Sequence, residues 1–235
     1  MDHIANSAAK MSYMYGGELT APLVIRMAYG AGRRSGAHHS QSPEAMFANF
    51  PGLTVVMPST PYDAKGLLKS AIRCPNPVIF MEHKLLYNKT GEVPDEEYLV
   101  PLGTADVKRA GSDVTIAATG IMVDKALLAA QQLEEESGLG AEVIDLRTIL
   151  PLDVDALVVS VKKTGRLVVV HEAPVSFGIG AEVAAVVANQ AFGYLDAPIQ
   201  RVGAPFTPIP VSPPLEDAYI VSQERIRDAV RAVVG

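Results

Sequence analysis

The chain has few of the features that mark secreted or membrane-bound proteins. It contains one cysteine and no tryptophan in 235 residues. A single cysteine cannot form an internal disulfide and is typical of a reducing compartment, so we expect a cytoplasmic protein. No apolar run approaches the roughly 18 residues that a membrane helix requires. Residues 1–10 show no secretory signal pattern, and we expect no membrane association.

Basic charge is also scarce. Lysine and arginine total 20, against 26 aspartates and glutamates, which gives a net charge of −6. Binding of nucleic-acid phosphates requires a basic surface, and the one local basic cluster is Arg33-Arg34. We therefore expect no nucleic-acid partner. The apolar fraction of 49% predicts instead a large core and a subunit interface.

What the sequence does contain is a regular alternation of buried strands and amphipathic helices. Apolar runs predict strands at 23–25, 53–57, 77–81, 114–118, 142–146, 167–170 and 199–202. This alternation predicts an α/β fold of two three-layer α/β/α units with mostly parallel sheets. A polar, acidic stretch at 88–101 is the best linker. We therefore divide the chain into a first unit at 1–90, a linker and entry strand at 91–111, and a second unit at 112–235.

Capping residues mark several helix ends. Helix starts are predicted at Ser42-Pro43, at Thr60-Pro61 with Asp63, at Asp153 and at Ser222. Helix ends are predicted at Gly16-Gly17, Gly138 and Gly165. The first of these helices is already under way at Ile4, with no strand before it.

The most informative segment runs from Arg33 to Ser42, within a glycine-rich loop predicted at 28–41. It joins a buried strand to a helix, which is the edge of an α/β sheet where ligands bind. Its two histidines can exchange protons near neutral pH, and its two arginines favour an anionic ligand. The residues alone leave two interpretations open: a functional site, or a polar surface loop.

Other motifs are weaker. His171-Glu172 follows a buried strand and could lie at a sheet edge, although a structural role is favoured. The Gly178-Ile179-Gly180 sequence lacks the third glycine and the acidic residue of a dinucleotide site. Glu134-Glu135-Glu136 is interpreted as a solvated helix face. Cys74 has no partner cysteine for a metal cluster.

A set of longer motifs carries a family resemblance. The segments AAKMSYMYGG, PLVIR, GAHHSQS, PYDAKGLLKSAIR, NPVIFMEHKLLY, VIDLRTILPLD and VVVHEAP resemble the β subunits of the E1 component of 2-oxo acid dehydrogenases throughout the chain. The sequences PYDAKGLL and EHKLLY are most similar to those of acetoin dehydrogenases, and pyruvate and branched-chain members share much of them. The resemblance implies a partial pyrimidine-binding domain followed by a transketolase C-terminal-like domain.

The resemblance also implies the chemistry and its partners. Family members use thiamine diphosphate to cleave a 2-oxo acid or acetoin, and pass the acyl group to a lipoyl arm on an E2 acyltransferase. An α subunit, in an α2β2 assembly, holds the diphosphate and Mg²⁺ through a GDG motif, which this chain lacks. His39 matches the active-site histidine, and Tyr13 matches an aromatic position beside the pyrimidine ring. A monovalent-cation (K⁺) site is implied at Leu23, Ala71, Cys74 and Asn76, although the family often has aspartate in place of Cys74.

One departure from the family concerns a glutamate that activates the aminopyrimidine ring. In the family it lies well upstream of the AAK helix, and this sequence begins at Met1, so we expect an N-terminally truncated chain. Two alternatives stay open. The first is a non-catalytic or degenerate assembly subunit. The second is a fragment of a transketolase-like or deoxyxylulose-phosphate-synthase-like enzyme.

Overall fold

Nine strands and nine α-helices form two sheets with helices packed against them. The computed structural model describes all 235 residues. The strands are β1 (Val24–Tyr29), β2 (Thr54–Val56), β3 (Val78–His83), β4 (Asp106–Arg109), β5 (Val114–Ala118), β6 (Ala141–Asp145), β7 (Thr148–Leu150), β8 (Leu167–Pro174) and β9 (Gln200–Ala204). The helices are α1 (Met11–Met14), α2 (Gly36–His39), α3 (Glu44–Ala48), α4 (Pro61–Arg73), α5 (Ile121–Ser137), α6 (Val154–Thr164), α7 (Gly180–Ala191), α8 (Pro213–Tyr219) and α9 (Gln223–Val234).

Both sheets are mostly parallel, as predicted. The first has the order β1-β3-β2-β7, in which β1, β3 and β2 are parallel and β7 is antiparallel. The second has the order β4-β6-β5-β8-β9, and its one antiparallel strand is the edge strand β4. Parallel strands require crossover connections, which explains why helices separate them along the chain.

Helix α4 shows how local sequence signals produce these elements. Thr60 caps the helix, because its hydroxyl oxygen accepts a hydrogen bond from the Asp63 amide at 3.1 Å. Pro61 occupies the first turn, where no amide hydrogen is needed. Leu67 and Ala71 then face the sheet and are buried. The predicted cap and the predicted buried face are both confirmed.

The second unit contains the larger core. Helices α5 and α9 pack on one face of its sheet, around Val123, Ala130 and Ile226. Helices α6 and α7 contribute Leu157 and Val187 to the opposite face. Strands covered on both faces are mostly apolar, which is why the first part of β8, Leu167 to Val170, is an unbroken apolar run.

The two units share a sheet and an ion cluster. Strand β7 follows β6 of the second unit but pairs with β2 of the first. Just before β7, the buried Arg147 guanidinium donates to Asp63 of α4 at 3.0 Å. Lys108, on β4, donates to the same carboxylate at 2.8 Å. Burial opposes ionisation of Asp63, but the bonds from Lys108, Thr60 and Arg147 prevail and lower its pKa.

The predicted linker is not a free segment. Tyr98 stacks on Tyr62 with ring centroids 4.4 Å apart. Val100 is buried in the core of the first unit, and its carbonyl oxygen accepts a hydrogen bond from the Ser70 hydroxyl at 2.6 Å. The acidic composition marks a connection on the surface, but side chains along it pack onto α4.

Three local predictions need correction. The loop predicted at 28–41 is shorter, because β1 continues to Tyr29 and Gly36–His39 form a helical turn. Ser42 does not cap α3, which begins at Glu44 with no side-chain cap. Strand β7 was not predicted, since it has three residues and its partner lies in the other unit. In each case contacts between distant residues outweigh the local pattern.

Candidate active site

The histidine pair lies at the carboxyl edge of the first sheet. β1 and β3 are parallel, and the pair Tyr29–His83 ends their register. The chain then turns through Gly30 and Gly32 into α2, so His38 and His39 stand on an exposed helical turn above that edge. We call residues 30–41 the histidine turn. An open cavity of about 440 Å³ lies beside both histidines and is also lined by Met27, Ser35, Gln41 and Lys84.

A buried histidine–carboxylate pair lies directly beneath this turn. His83 Nε2 is 2.5 Å from an oxygen of Glu172, which comes from β8 of the second unit. The Leu85 amide donates to His83 Nδ1 at 3.2 Å, so Nε2 carries the proton and donates to Glu172. The other oxygen of Glu172 accepts the amide of Ala31 at 2.5 Å. Glu172 therefore joins the ends of β1 and β3 to the second sheet.

A second carboxylate from the second unit, Glu216 of α8, binds the next residues of the turn. Its side chain is fully buried, and it accepts hydrogen bonds from the Gly32 amide at 2.8 Å and the Arg34 amide at 3.0 Å. The Arg34 guanidinium adds a bond to Glu216 at 2.7 Å and one to the exposed Asp217 at 2.6 Å. Arg34 is thus fully engaged within the chain, whereas Arg33 is exposed.

The far end of the turn is anchored to the first unit. Lys84 Nζ donates to the carbonyl oxygen of His39. The amide of Gly30 donates to the carbonyl oxygen of Gln41 at 3.2 Å. Gly30 has a φ of +97°, and a Cβ atom there would lie 2.1 Å from His83 Nε2, so only glycine fits.

Two further polar groups near the turn are buried without a hydrogen-bond partner. They are the hydroxyl of Ser40 and both carboxylate oxygens of Glu44. Burial is the main cause that raises the pKa of Glu44 to about 8, and the nearby charge of Glu172 acts in the same direction. Glu44 therefore carries a proton at neutral pH, which reduces the cost of burying it.

Comparison with known proteins places this architecture in a family. Family models match residues 2–90 (transketolase, pyrimidine binding domain) and residues 103–226 (transketolase, C-terminal domain). The chain is 53% identical to the acetoin:2,6-dichlorophenolindophenol oxidoreductase subunit beta of Cupriavidus necator, over 98% of this chain and 68% of that protein. It is 46% identical to the pyruvate dehydrogenase E1 component subunit beta of Bacillus subtilis, over 100% of this chain and 72% of that protein.

The chain is an E1 β subunit. It belongs to the transketolase-like family of β subunits of oxidoreductase E1 components, and the family implies thiamine diphosphate as cofactor and an α subunit and an E2 component as partners. A solved structure titled split gene transketolase, inactive beta4 tetramer has a TM-score of 0.79 and 27% identity, over 99% of this chain and 70% of that one. The predicted family and fold class are therefore confirmed.

The β subunit brings the four residues predicted for the cation site to one end of the first sheet. Leu23 immediately precedes β1, Ala71 lies in the last turn of α4, and Cys74 and Asn76 lie between α4 and β3. The carbonyl of Leu23 accepts the Val78 amide at 2.8 Å, and that of Ala71 accepts the Cys74 amide at 3.1 Å. This is the amino edge of the sheet, opposite to the edge that carries His39.

Tyr13 is separate from both groups. It lies on α1 with 89% of its surface exposed and does not line the cavity beside His39. The glycines at 16 and 17, with φ of +60° and +86°, end the helical segment just after it, as predicted. Within this chain alone, the residues predicted for the cofactor are therefore not brought into one pocket.

His171, in contrast, is a structural residue. It is fully buried in β8, neither ring nitrogen has a hydrogen-bond partner, and burial lowers its pKa to about 4. Three glycines make room for the ring. A Cβ atom would lie 2.4 Å from the ring at Gly178, 2.8 Å at Gly180 and 3.0 Å at Gly203. The incomplete dinucleotide motif is explained by this packing.

The sequence did not indicate His83, Glu44 or Glu216 as site residues. His83 ends a strand, and its position at the carboxyl edge was a usable signal. Glu216 follows a proline-rich stretch with no motif, so only the fold reveals that it reaches the histidine turn. No helix of the β subunit is both long and apolar enough to span a membrane.

Proposed function

We propose that this β subunit and a separate α subunit form an α2β2 E1 enzyme, with His39 in the active site. The observation that carries the proposal is the placement of His39. It stands exposed on a turn at the carboxyl edge of the first sheet, beside an open cavity, and the turn is hydrogen-bonded at both ends. Ligands of α/β proteins bind at this edge.

The substrate that we propose is acetoin, with 2-oxo acids as the alternative. The relatives named for acetoin are 53% and 48% identical to this chain, against 46% for the pyruvate and 45% for the 2-oxoisovalerate dehydrogenase β subunits of Bacillus subtilis. The sequence of the EHKLLY segment, which includes His83 and Lys84 beside the turn, also favours acetoin as the substrate. The acyl product passes to the lipoyl arm of an E2 component in the cytoplasm.

The residues on the β subunit fit one side of a thiamine diphosphate site. The chemistry that this cofactor supplies when bound is stabilisation of the carbanion that carbon–carbon cleavage leaves. Ser35 and Gln41 offer polar groups to the cavity beside His39. We propose that His39 faces substrate and lipoyl group and moves a proton there. Tyr13, exposed on α1, contacts the pyrimidine end once the α subunit closes the site.

The metal assignments follow the donors that the chain offers. No group of three or more His, Cys, Asp or Glu side chains is placed to hold a metal ion in this chain, and we propose that the α subunit holds Mg²⁺. Backbone carbonyl oxygens suit a monovalent cation, and we propose K⁺ at Leu23, Ala71, Cys74 and Asn76. Each carbonyl oxygen has two lone pairs, so those of Leu23 and Ala71 can bind a cation while accepting their present hydrogen bonds.

A non-catalytic assembly role is the second proposal, favoured by the exposure of Tyr13 and its separation from the His39 cavity. Co-expression with an E1 α subunit distinguishes the two proposals. We expect a complex of α2β2 mass by light scattering and, in a chain that also carries the family's upstream glutamate segment, turnover with thiamine diphosphate and Mg²⁺ that is faster on acetoin than on pyruvate or 2-oxoisovalerate. A complex without turnover on any of the three would favour the assembly role, and a β chain that ignores the α subunit would contradict both.

A further inference from the structure

The histidine turn is built by the first unit but held by the second. We propose that Glu216 is a positioning residue for the active site: its buried carboxylate fixes the backbone at Gly32 and Arg34 and thereby sets where His39 stands over the cavity. The inference rests on the proposed role of His39 and extends it to a residue in the other unit, 177 positions further along the chain.

Both oxygens of the Glu216 carboxylate bind residues of the turn. One oxygen accepts the Gly32 amide at 2.8 Å, and the other accepts both the Arg34 amide at 3.0 Å and its guanidinium at 2.7 Å. The side chain has no exposed surface. Hydrogen bonds to an ionised acceptor away from water are stronger than neutral ones. These three bonds are therefore the main attachment of the first half of the turn.

The backbone at Arg34 needs such an attachment. Its φ is +56°, a left-handed conformation that side-chain-bearing residues rarely adopt without support. Glu216 binds the amide of this residue and its side chain together, which holds the unusual geometry. Ser35 and then α2 follow immediately, so the direction in which α2 leaves Arg34 decides the position of His39 at its end.

Two other contacts define the rest of the turn and leave the Arg34 end to Glu216. Glu172 binds the Ala31 amide, before the left-handed residue. Lys84 binds the His39 carbonyl oxygen, after α2. Between them, Glu216 supplies the carboxylate that reaches Gly32 and Arg34. Because Glu216 belongs to α8, the active-site turn takes this geometry only where the second unit is docked against the first.

The adjacent residue provides a matched control for the test. Glu216→Gln keeps the shape but replaces one acceptor oxygen with an amide nitrogen, so either the Gly32 amide or the Arg34 groups lose their acceptor. Asp217→Asn removes only the negative charge from the exposed partner of the same guanidinium. Both variants are assembled with the α subunit and compared with wild type by turnover, cofactor affinity and amide hydrogen exchange.

We expect Glu216→Gln to lower kcat at least tenfold, with cofactor Kd changed by less than about threefold. Hydrogen exchange at Gly32 and Arg34 should rise about 10- to 100-fold, the size expected for bonds to a charged acceptor, while core amides such as Val143 keep their protection. Asp217→Asn should match wild type in all three measurements. Equal exchange at Gly32 and Arg34 in wild type and Glu216→Gln would overturn the proposal, and so would loss of protection spread over the whole chain.

If Glu216→Gln does not fold, Glu216→Asp takes its place. It keeps the charge but is one carbon shorter, so it should release Gly32 or Arg34 to faster exchange. Unchanged exchange there would contradict the positioning role. The exchange measurement is independent of the proposed function, which His39→Ala tests. If His39→Ala keeps full turnover while Glu216 variants loosen the turn, the function assignment is wrong and the attachment stands. If His39→Ala is inactive and the Glu216 variants are not looser, only the attachment is wrong.

Discussion

At the scale of residues, Glu44 and His171 are both buried without side-chain partners, and their pKa values move in opposite directions. Burial raises the pKa of the Glu44 carboxyl to about 8 and lowers that of the His171 imidazole to about 4. Both shifts keep the buried group neutral near pH 7. The pH dependence of stability separates their effects by sign, because the Glu44 contribution is lost as pH rises from about 4.5 to 8 and the His171 contribution is lost as pH falls from about 6.5 to 4.

Glu44→Gln should remove a loss of folding stability that the wild type shows as pH rises. The unfolded chain releases the Glu44 proton near pH 4.5 and the folded chain near pH 8, so the wild type loses free energy of unfolding as pH rises through this window. The loss is about 1.4 kcal/mol per pH unit at most. Urea unfolding at pH 5, 7 and 9 should show the variant gaining steadily on the wild type. Glu135→Gln, exposed on α5, is the control. A difference between wild type and Glu44→Gln that stays constant with pH would contradict the buried neutral state.

Gly178→Ala should destabilise the second unit by steric overlap. The new Cβ atom would lie 2.4 Å from the His171 ring and 2.5 Å from the Pro174 carbonyl oxygen, and neither can move freely within the packed core. Overpacking of this kind costs about 1–3 kcal/mol. Gly193→Ala, where no atom lies within 4 Å, is the matched control. Thermal unfolding of the two variants checks the prediction, and equal melting temperatures would show that the glycine is not needed for His171.

At the scale of elements, capping patterns were predicted well because they act over three or four residues. The Thr60, Asp153 and Ser222 side chains each accept a hydrogen bond from an amide three residues later, as the sequence indicated. Strand β7 and helix α2 could not be predicted in this way. The pairing of β7 with β2, and the support of the α2 turn by Glu216, both join residues far apart in the sequence.

The same distinction applies to the site. His39 was predicted from a local motif that the family resemblance supplies, and Glu172 was noticed only as the neighbour of His171. Glu216 and Glu44 carry no local signal, since a lone glutamate on a helix is normally a solvated residue. Their importance arises from burial between elements, which the alternating pattern does not encode.

Asp63→Ala should weaken the contact between α4 and the second unit. Asp63 is fully buried and receives bonds from Arg147 and Lys108, so its removal takes the nearest carboxylate from Arg147 and one of two carboxylates from Lys108. Breaking a buried ion pair costs about 3–5 kcal/mol. Asp106→Ala removes a half-exposed carboxylate from the same Lys108 and should cost about 1 kcal/mol or less. Urea unfolding tests this contrast, and equal losses would mean that the inter-unit cluster adds no stability.

At the scale of the whole molecule, function depends on the junction of the two units. The first unit supplies the histidine turn, and the second supplies Glu172 and Glu216, which bind its backbone. The residues that the family resemblance assigns to the cofactor remain apart within this chain, with Tyr13 exposed. We therefore expect this β subunit to form one side of the proposed active site and an α subunit to complete it.

The most direct test of the account is turnover of an α2β2 complex whose β chain carries the family's upstream glutamate segment together with His39→Ala, with His38→Ala as the neighbouring control. Loss of a general acid–base group costs about 10²–10⁴-fold in rate, so His39→Ala should lose turnover by that factor while cofactor affinity and melting temperature stay close to wild type. His38→Ala should be mild in all three. If both variants keep turnover per folded enzyme and lower only the melting temperature, by an amount equivalent to about 1 kcal/mol, then His39 is a structural residue of the turn and the proposed active site is wrong.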